Sequence, residues 1–202
     1  MGIVLCPKMD VIMETKKIVL NIGSGCSSVK DRISYFKDWQ EIRADTFPEC
    51  DPDIISDIRT LDGVDDNSID AIYASHVLEH CYWHEQPMIF NSFMRVLNST
   101  GFAIIEVPDI DSIKDNLLET LYLAENRIPI TSLDLLYGFR GAVDPKYNEK
   151  VNPGMMHKMG FNVQLIKDIL SELKIKGVYR THNHQITTII WKDQQPEILS
   201  VM

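Results

Sequence analysis

With 202 residues, 45% of them apolar and 24% charged, the chain can build one substantial core, and its composition excludes long disordered stretches. A net charge of -9 and a pI near 5.1 exclude the broad basic surface that non-specific nucleic-acid binding requires. Four scattered cysteines, Cys6, Cys26, Cys50 and Cys81, form no C-x-x-C pair, and the spacing predicts free thiols in a reducing, cytoplasmic compartment.

In chain order, "MGIVLCPKMDVIMETKK" has no basic leader and too short an apolar run for a signal peptide or membrane span, so residues 1–16 are expected to form a tail. Lys17–Ile22 then reads as a β-branched strand running into the glycine turn "GSG". Val29, Ile33 and Phe36 recur at helical spacing. "EIRAD", "DIISD", "SIDAIYAS" and "GFAIIEVP" are four further strands, nearly all apolar, as strands buried on both faces of a parallel sheet must be. Too few residues separate the second and third for a full crossover, so the third is very short or a crossover helix is lost. A helix from about His76 to Leu97 presents Phe90, Phe93, Met94 and Leu97 on one face, and "NSTG" closes it.

Residues 109–160 are too many for a plain crossover. Ile113, Leu117, Leu118 and Leu121 predict an amphipathic helix, "SLDLLY" a second short one, and "GFRGAVDPKYNEKVNPG" a long loop of the kind that carries function. Asn162 caps a last helix with Val163, Ile166, Ile169, Leu170 and Leu173 inward. "IKGVYRT" and "QITTIIW" follow as an antiparallel pair about the exposed turn "HNH". Alternation of this kind predicts an α/β fold, a doubly wound, mostly parallel sheet.

The chemistry gathers at strand ends. Gly23 and Gly25 let backbone approach a ligand closely, and about 20 residues on, Asp45 ends the second strand where a carboxylate accepts ribose hydroxyls. Asp57 ends the third strand, within reach of an adenine amino group, with Ile58 available to pack on the ring. These positions sketch an adenosine site along the carboxyl edge of the sheet.

The segments "VLNIGSG", "RAD", "IISDI", "DDNSIDAIYASHVLEH" and "GFAIIEVPD" resemble successive motifs of class I S-adenosylmethionine-dependent methyltransferases, close to the small type-11-like members. "HKMGFNVQLIKDILSELKIKGV" resembles that family's closing helix and strand. The resemblance implies one methyltransferase domain over residues 1–202. Its fold would be a seven-stranded Rossmann-like sheet with a C-terminal antiparallel hairpin strand and a helical insertion, residues 109–160, as a substrate-recognition lid. By it, Asn21, Gly23, Ser24 and Gly25 would line the methionine and ribose part of S-adenosylmethionine, and of the product S-adenosylhomocysteine. Asp45 would hold the ribose, Asp57 and Ile58 the adenine, and Ser75 and His76 the floor beneath the methyl group. Two positions depart from the pattern. Asn21 stands where Asp or Glu is usual, and Ser27 where a third glycine often sits.

"SHVLEHCYWH" also spells H-x-x-E-H, a pattern of inverted zinc peptidases, and His76, His80 and His84 with Cys81 have the spacing of ligands on one helix face. His76 falls at a strand-to-helix switch point, however, and no third carboxylate motif follows. No metal is assigned, and the stretch reads as a pocket lip. His157, His80 and Tyr137 are the catalytic or acceptor-side candidates; Glu106 and Asp109 stand at the fifth strand's end, and Trp83 and Trp191 read as packing residues. The expected partner is a small polar acceptor, with neither nucleic acid nor membrane. A nicotinamide-dependent oxidoreductase competes, although G-x-G-x-x-G fails at Ser28, and so does an inactive cofactor-binding relative.

Overall fold

The structure is a computed structural model and describes residues 16–123, 127–140 and 153–200. Five parallel strands are those the apolar runs predict: β1 (Ile18–Ile22), β2 (Gln40–Asp45), β3 (Ile54–Ile55), β4 (Ile69–Ser75) and β5 (Leu97–Pro108). A hairpin within the insertion supplies β6 (Thr120–Leu123) and β7 (Pro129–Thr131), and the chain ends its sheet with β8 (Lys176–His182) and β9 (Gln185–Trp191). The main sheet has the order β3-β2-β1-β4-β5-β9-β8, with β9 antiparallel to both neighbours.

Alternation along the strands divides the core between two faces. Leu20, Ile72 and Ile105 point to the face covered by α1 (Gln86–Val96) and by the last long helix, Val163–Glu172. Val19, Tyr73 and Ile104 point to the other face, where Tyr35, Phe36, Trp39 and Phe102 form an aromatic cluster. The chain leaves β1 toward β2 and β3, then returns to β4 on the opposite side of β1. That reversal makes a crevice at the carboxyl ends of β1 and β4, the place where open α/β sheets bind ligands.

Several expectations are corrected. Val29–Phe36 forms two 3-10 turns, Val29–Asp31 and Ser34–Phe36, instead of a helix. β3 is indeed very short, and a 3-10 turn at Pro48–Cys50 replaces the crossover helix. The helix expected from His76 begins only at Gln86, after 3-10 turns at Leu78–His80 and Trp83–Glu85. It passes directly into β5, so "NSTG" is an irregularity inside a strand, where the register against β4 shifts. Ile113, Leu117, Leu118 and Leu121 do not form a helix: Leu118 is 68% exposed, and the segment leads into the β6–β7 hairpin. α2 (Ser132–Tyr137) matches "SLDLLY" and is opened by a capping box between Thr131 and Asp134. The last long helix among the described residues, α3 (Val163–Glu172), is capped as expected by Asn162, whose side chain accepts from Leu165 N at 2.9 Å. "HNH" is the turn between β8 and β9, with Asn183 and His184 both at positive φ, as a tight hairpin requires. Trp83, expected to pack, is 52% exposed.

The cysteines are the largest correction. Cys26 and Cys50 form a disulfide, with Cα atoms 4.8 Å apart, while Cys81 is a buried free thiol; Cys6 lies outside the described residues. Spacing alone hides this pair, because each cysteine sits in a turn after a different strand and the sheet brings the two turns together. Burial pushes the Cys81 thiol up to about 11, aided by the charge of Glu85. Alkylation of native protein at mildly alkaline pH should therefore spare Cys81 until denaturant exposes it; rapid labelling would contradict its burial.

Candidate functional site

β1 ends in a turn whose backbone is bent by two left-handed glycines, Gly23 at φ 61° and Gly25 at φ 50°. Gly23 N donates to Ala44 O at 2.8 Å, and a Cβ here would lie 2.3 Å from Val77 Cγ2. Only glycine lets the ends of β1 and β4 close on each other at this point. A Cβ on Gly25 would meet nothing within 4 Å, so the peptide faces open space. Beside it stands Asp45, whose Oδ2 accepts from Gly25 N at 2.8 Å and Oδ1 from Phe47 N at 2.9 Å. Each oxygen has one lone pair engaged and one left for a ligand hydroxyl.

Sequence reasoning missed the residue that organises this turn. Glu41, on β2, accepts from Asn21 Nδ2 at 2.9 Å and from Val29 N at 2.8 Å, and it also takes the hydroxyl of Ser28. Asn21, buried at 4% exposure, further donates to Ser27 O at 3.1 Å. The carboxylate absent from position 21 is thus present on the neighbouring strand, where no motif signals it. Ser24 is buried and its hydroxyl bonds Gly25 O at 3.1 Å. Phe47 was also missed; its ring, 42% exposed, lies two residues beyond Asp45.

The adenine-side expectations meet a different geometry. Asp57 is held by Arg59, with Nε donating to Oδ1 at 2.7 Å, and Arg59 bridges on to Glu85 at 2.6 Å. The Arg59 hydrogen bonds hold the Asp57 carboxyl below its ordinary value against the pull of burial. Its carboxylate is therefore engaged, though it lines an open cleft of about 510 Å³ with Arg59, Thr60, His84, Glu85 and Met88. The Ile58 side chain is 7% exposed and packs in the core, so it presents no ring-packing surface.

β4 ends at Ser75, and the backbone turns sharply through His76 at φ 55°, a conformation uncommon for a non-glycine residue. His76 N donates to Glu106 O at 2.8 Å. Glu106 is itself pinned, by Tyr73 Oη at 2.7 Å and Gln185 Nε2 at 3.0 Å. Burial and the Glu106 charge push the Tyr73 hydroxyl up to about 12, which keeps it a hydrogen-bond donor. Asp109, buried at 8% exposure, receives the Asp111 N–H at 3.1 Å.

His157 reaches this edge from the insertion. Lys158 N donates to Glu79 O at 2.8 Å, and His157 N to Tyr137 O at 3.2 Å. The imidazole is 8% exposed, with Nδ1 2.9 Å from Leu135 O, and its ring lies 5.0 Å from that of His80. Burial holds the His157 imidazole below its ordinary pKa despite the nearby Glu79 charge, so it is neutral near pH 7. Glu79 is fully buried: burial raises its pKa, and the hydrogen bond and charge of His76 outweigh that and hold the carboxyl below its ordinary value. His76, whose side chain is 43% exposed, is raised in turn by the hydrogen bond to Glu79 and by the nearby carboxylate charges. His157 and His80 are thus brought together. Tyr137 is not: only its carbonyl takes part, and its ring is 61% exposed.

Gly138 makes the approach of His157 possible. At φ 104°, its Cβ would stand 2.3 Å from Met155 O. Gly138→Ala should displace residues 155–157 and cost about 1–3 kcal/mol in denaturant unfolding. An unchanged midpoint would remove this glycine from the account. Most of "GFRGAVDPKYNEKVNPG", the long loop expected to carry function, lies outside the described residues.

Comparisons with known proteins bear on the fold that builds this edge. A family profile described as a methyltransferase domain matches residues 37–105, about a third of the chain. No curated protein matches the sequence. Among solved structures, a protein from Pyrococcus horikoshii superposes with a TM-score of 0.61 at 14% identity, over 90% of this chain and 84% of its own. A SAM-dependent methyltransferase from Archaeoglobus fulgidus gives 0.57 at 15% identity, over 88% and 86%. The 1,6-didemethyltoxoflavin-N1-methyltransferase of Burkholderia thailandensis, solved with S-adenosylhomocysteine, gives 0.54 at 12% identity, over 89% and 72%. By its sheet order, its glycine turn and the match of a methyltransferase-domain profile over residues 37–105, the chain is similar to S-adenosylmethionine-dependent methyltransferases and shares their fold.

Proposed function

We propose that this protein transfers a methyl group from S-adenosylmethionine to a small polar acceptor. The observation that carries the reading is the open peptide of Gly25 beside the Asp45 carboxylate, at the crevice between β1 and β4. A backbone free of side-chain bulk and a carboxylate with spare lone pairs fit a ribose and the chain attached to it. Phe47, exposed two residues on, offers an aromatic face to the adenine in place of the buried Ile58. Asn21 and Ser24 act through the turn they stabilise, and Ser75 and His76 form the floor at the end of β4.

The cofactor supplies an electrophilic sulfonium methyl, so the chain's own task is chiefly to align the acceptor atom and exclude water. His157 and His80 stand on the acceptor side. A neutral His157 can take a proton from an acceptor hydroxyl or amine if one must leave. Residues 109–160 then act as the acceptor-recognising part of one domain.

Among the described residues no helix is long and apolar enough to cross a membrane. A cytoplasmic location, suggested by composition, would expose the Cys26–Cys50 bridge to reducing thiols, and differential alkylation of freshly lysed cells reads its state directly.

The activity is tested with methyl-labelled S-adenosylmethionine and a pool of small hydroxyl- and amine-bearing acceptors. Labelled product should appear with an equal amount of S-adenosylhomocysteine. Tight cofactor binding with no transfer to any acceptor would instead support the inactive-relative reading.

A further inference from the structure

Behind His76, three ligand-capable side chains converge without hydrogen-bonding one another. One ligand atom each from Glu79, His80 and His157 lies within 4.8 Å of the other two. Glu79 has no exposed surface, and while its Oε1 takes His76 Nδ1 at 3.1 Å, its Oε2 has no partner among the described residues. A buried carboxylate oxygen left bare costs several kcal/mol, roughly 1–3 even for a neutral polar group. The ion pair with His76 satisfies one oxygen and leaves that cost standing.

Both imidazoles are oriented alike. His157 Nδ1 is 2.9 Å from Leu135 O and His80 Nδ1 is 3.3 Å from Met156 O. A nitrogen facing a carbonyl carries the proton, so Nε2 of each ring keeps a lone pair. His157 Nε2 is 3.9 Å from Glu79 Oε1, too far for a hydrogen bond. A backbone carbonyl behind each histidine and a histidine behind the carboxylate are the supports that metal ligands receive.

We propose that Glu79, His80 and His157 bind a divalent first-row transition ion, with zinc the best match, leaving at least one coordination position open. Two imidazole nitrogens and one carboxylate oxygen suit Zn²⁺ over the all-oxygen sets of Ca²⁺ and Mg²⁺. Ligands about 2.0–2.2 Å from one ion stand about 3–4 Å apart, so side-chain shifts of about 1 Å close the site. His80 is half-buried, which leaves a route from solvent to the open position. Sequence reasoning assigned no metal because no third ligand follows "HVLEH"; the third ligand is His157, delivered by the insertion. The helix-face set of His76, His80 and His84 does not form, since 3-10 turns replace the helix. In the methyltransferase reading, on which this role alone rests, the open position would take an acceptor hydroxyl, and the bound ion would replace His157 as the group that activates it, since the single free lone pair on Nε2 cannot both bind the ion and accept a proton. Binding itself does not depend on that reading.

The test is titration of chelator-treated, dialysed protein with Zn²⁺ by calorimetry and with Co²⁺ by visible absorption. One ion per chain is expected, with Zn²⁺ displacing the cobalt spectrum. His80→Ala and His157→Ala should each weaken zinc by more than the about 10–100-fold typical of losing a supporting residue. His182→Ala, on exposed β8, should leave it unchanged, with thermal melts reporting that each variant folds. No stoichiometric ion, or one that ignores both substitutions in folded protein, overturns the site. Zinc binding without cofactor binding would sustain this site and overturn the methyltransferase reading; cofactor binding without zinc would do the reverse.

Discussion

Replacing Cys26 and Cys50 together with serine should lower unfolding stability by about 3.5 kcal/mol, the closure entropy of a loop of this length. The bridge spans a sequence separation of 24 and joins the glycine turn after β1 to the 3-10 turn after β2. Both turns flank Asp45, so the loss should reach the cofactor edge as well as the fold. Arg43 still ties the second turn, donating to Cys50 O at 3.2 Å, so the double variant should remain folded. Denaturant unfolding of oxidised, reduced and double-serine protein measures the effect. Coincident curves for all three would mean that the disulfide adds nothing.

Asp45→Ala should weaken S-adenosylhomocysteine binding by about 1–3 kcal/mol, roughly 5- to 150-fold, because bonds to a charged acceptor are lost. The same change removes two bonds that shape the site, from Gly25 N at 2.8 Å and Phe47 N at 2.9 Å. Asp45→Asn separates the contributions: its single amide oxygen can replace one of these acceptors but not both, so its affinity should fall between wild type and alanine. Unchanged affinity in a folded alanine variant would remove Asp45 from the ribose.

What the sequence reveals is what local chemistry encodes. β1, β4 and β5 are legible because strands buried on both faces must be apolar, and the terminal hairpin because "HNH" separates two β-rich runs. The meeting of Gly23, Gly25 and Asp45 at one edge is legible because each follows or ends a parallel strand. The failures share another cause. Leu117 and Leu118 have helical spacing, but no surface covers them and the segment runs into a hairpin. The turns between His76 and Gln86 are set by His76 at positive φ, which periodicity cannot register. Glu41, the Cys26–Cys50 bridge and the approach of His157 to Glu79 arise only once the sheet joins distant segments.

The most direct measurement is calorimetric titration of the oxidised protein with S-adenosylmethionine, S-adenosylhomocysteine and NAD. Saturable one-to-one binding of both adenosyl ligands is expected, with no heat from NAD and marked loss of the first two in Asp45→Ala. Saturable binding of NAD, or no binding of either adenosyl ligand to folded protein, would contradict it.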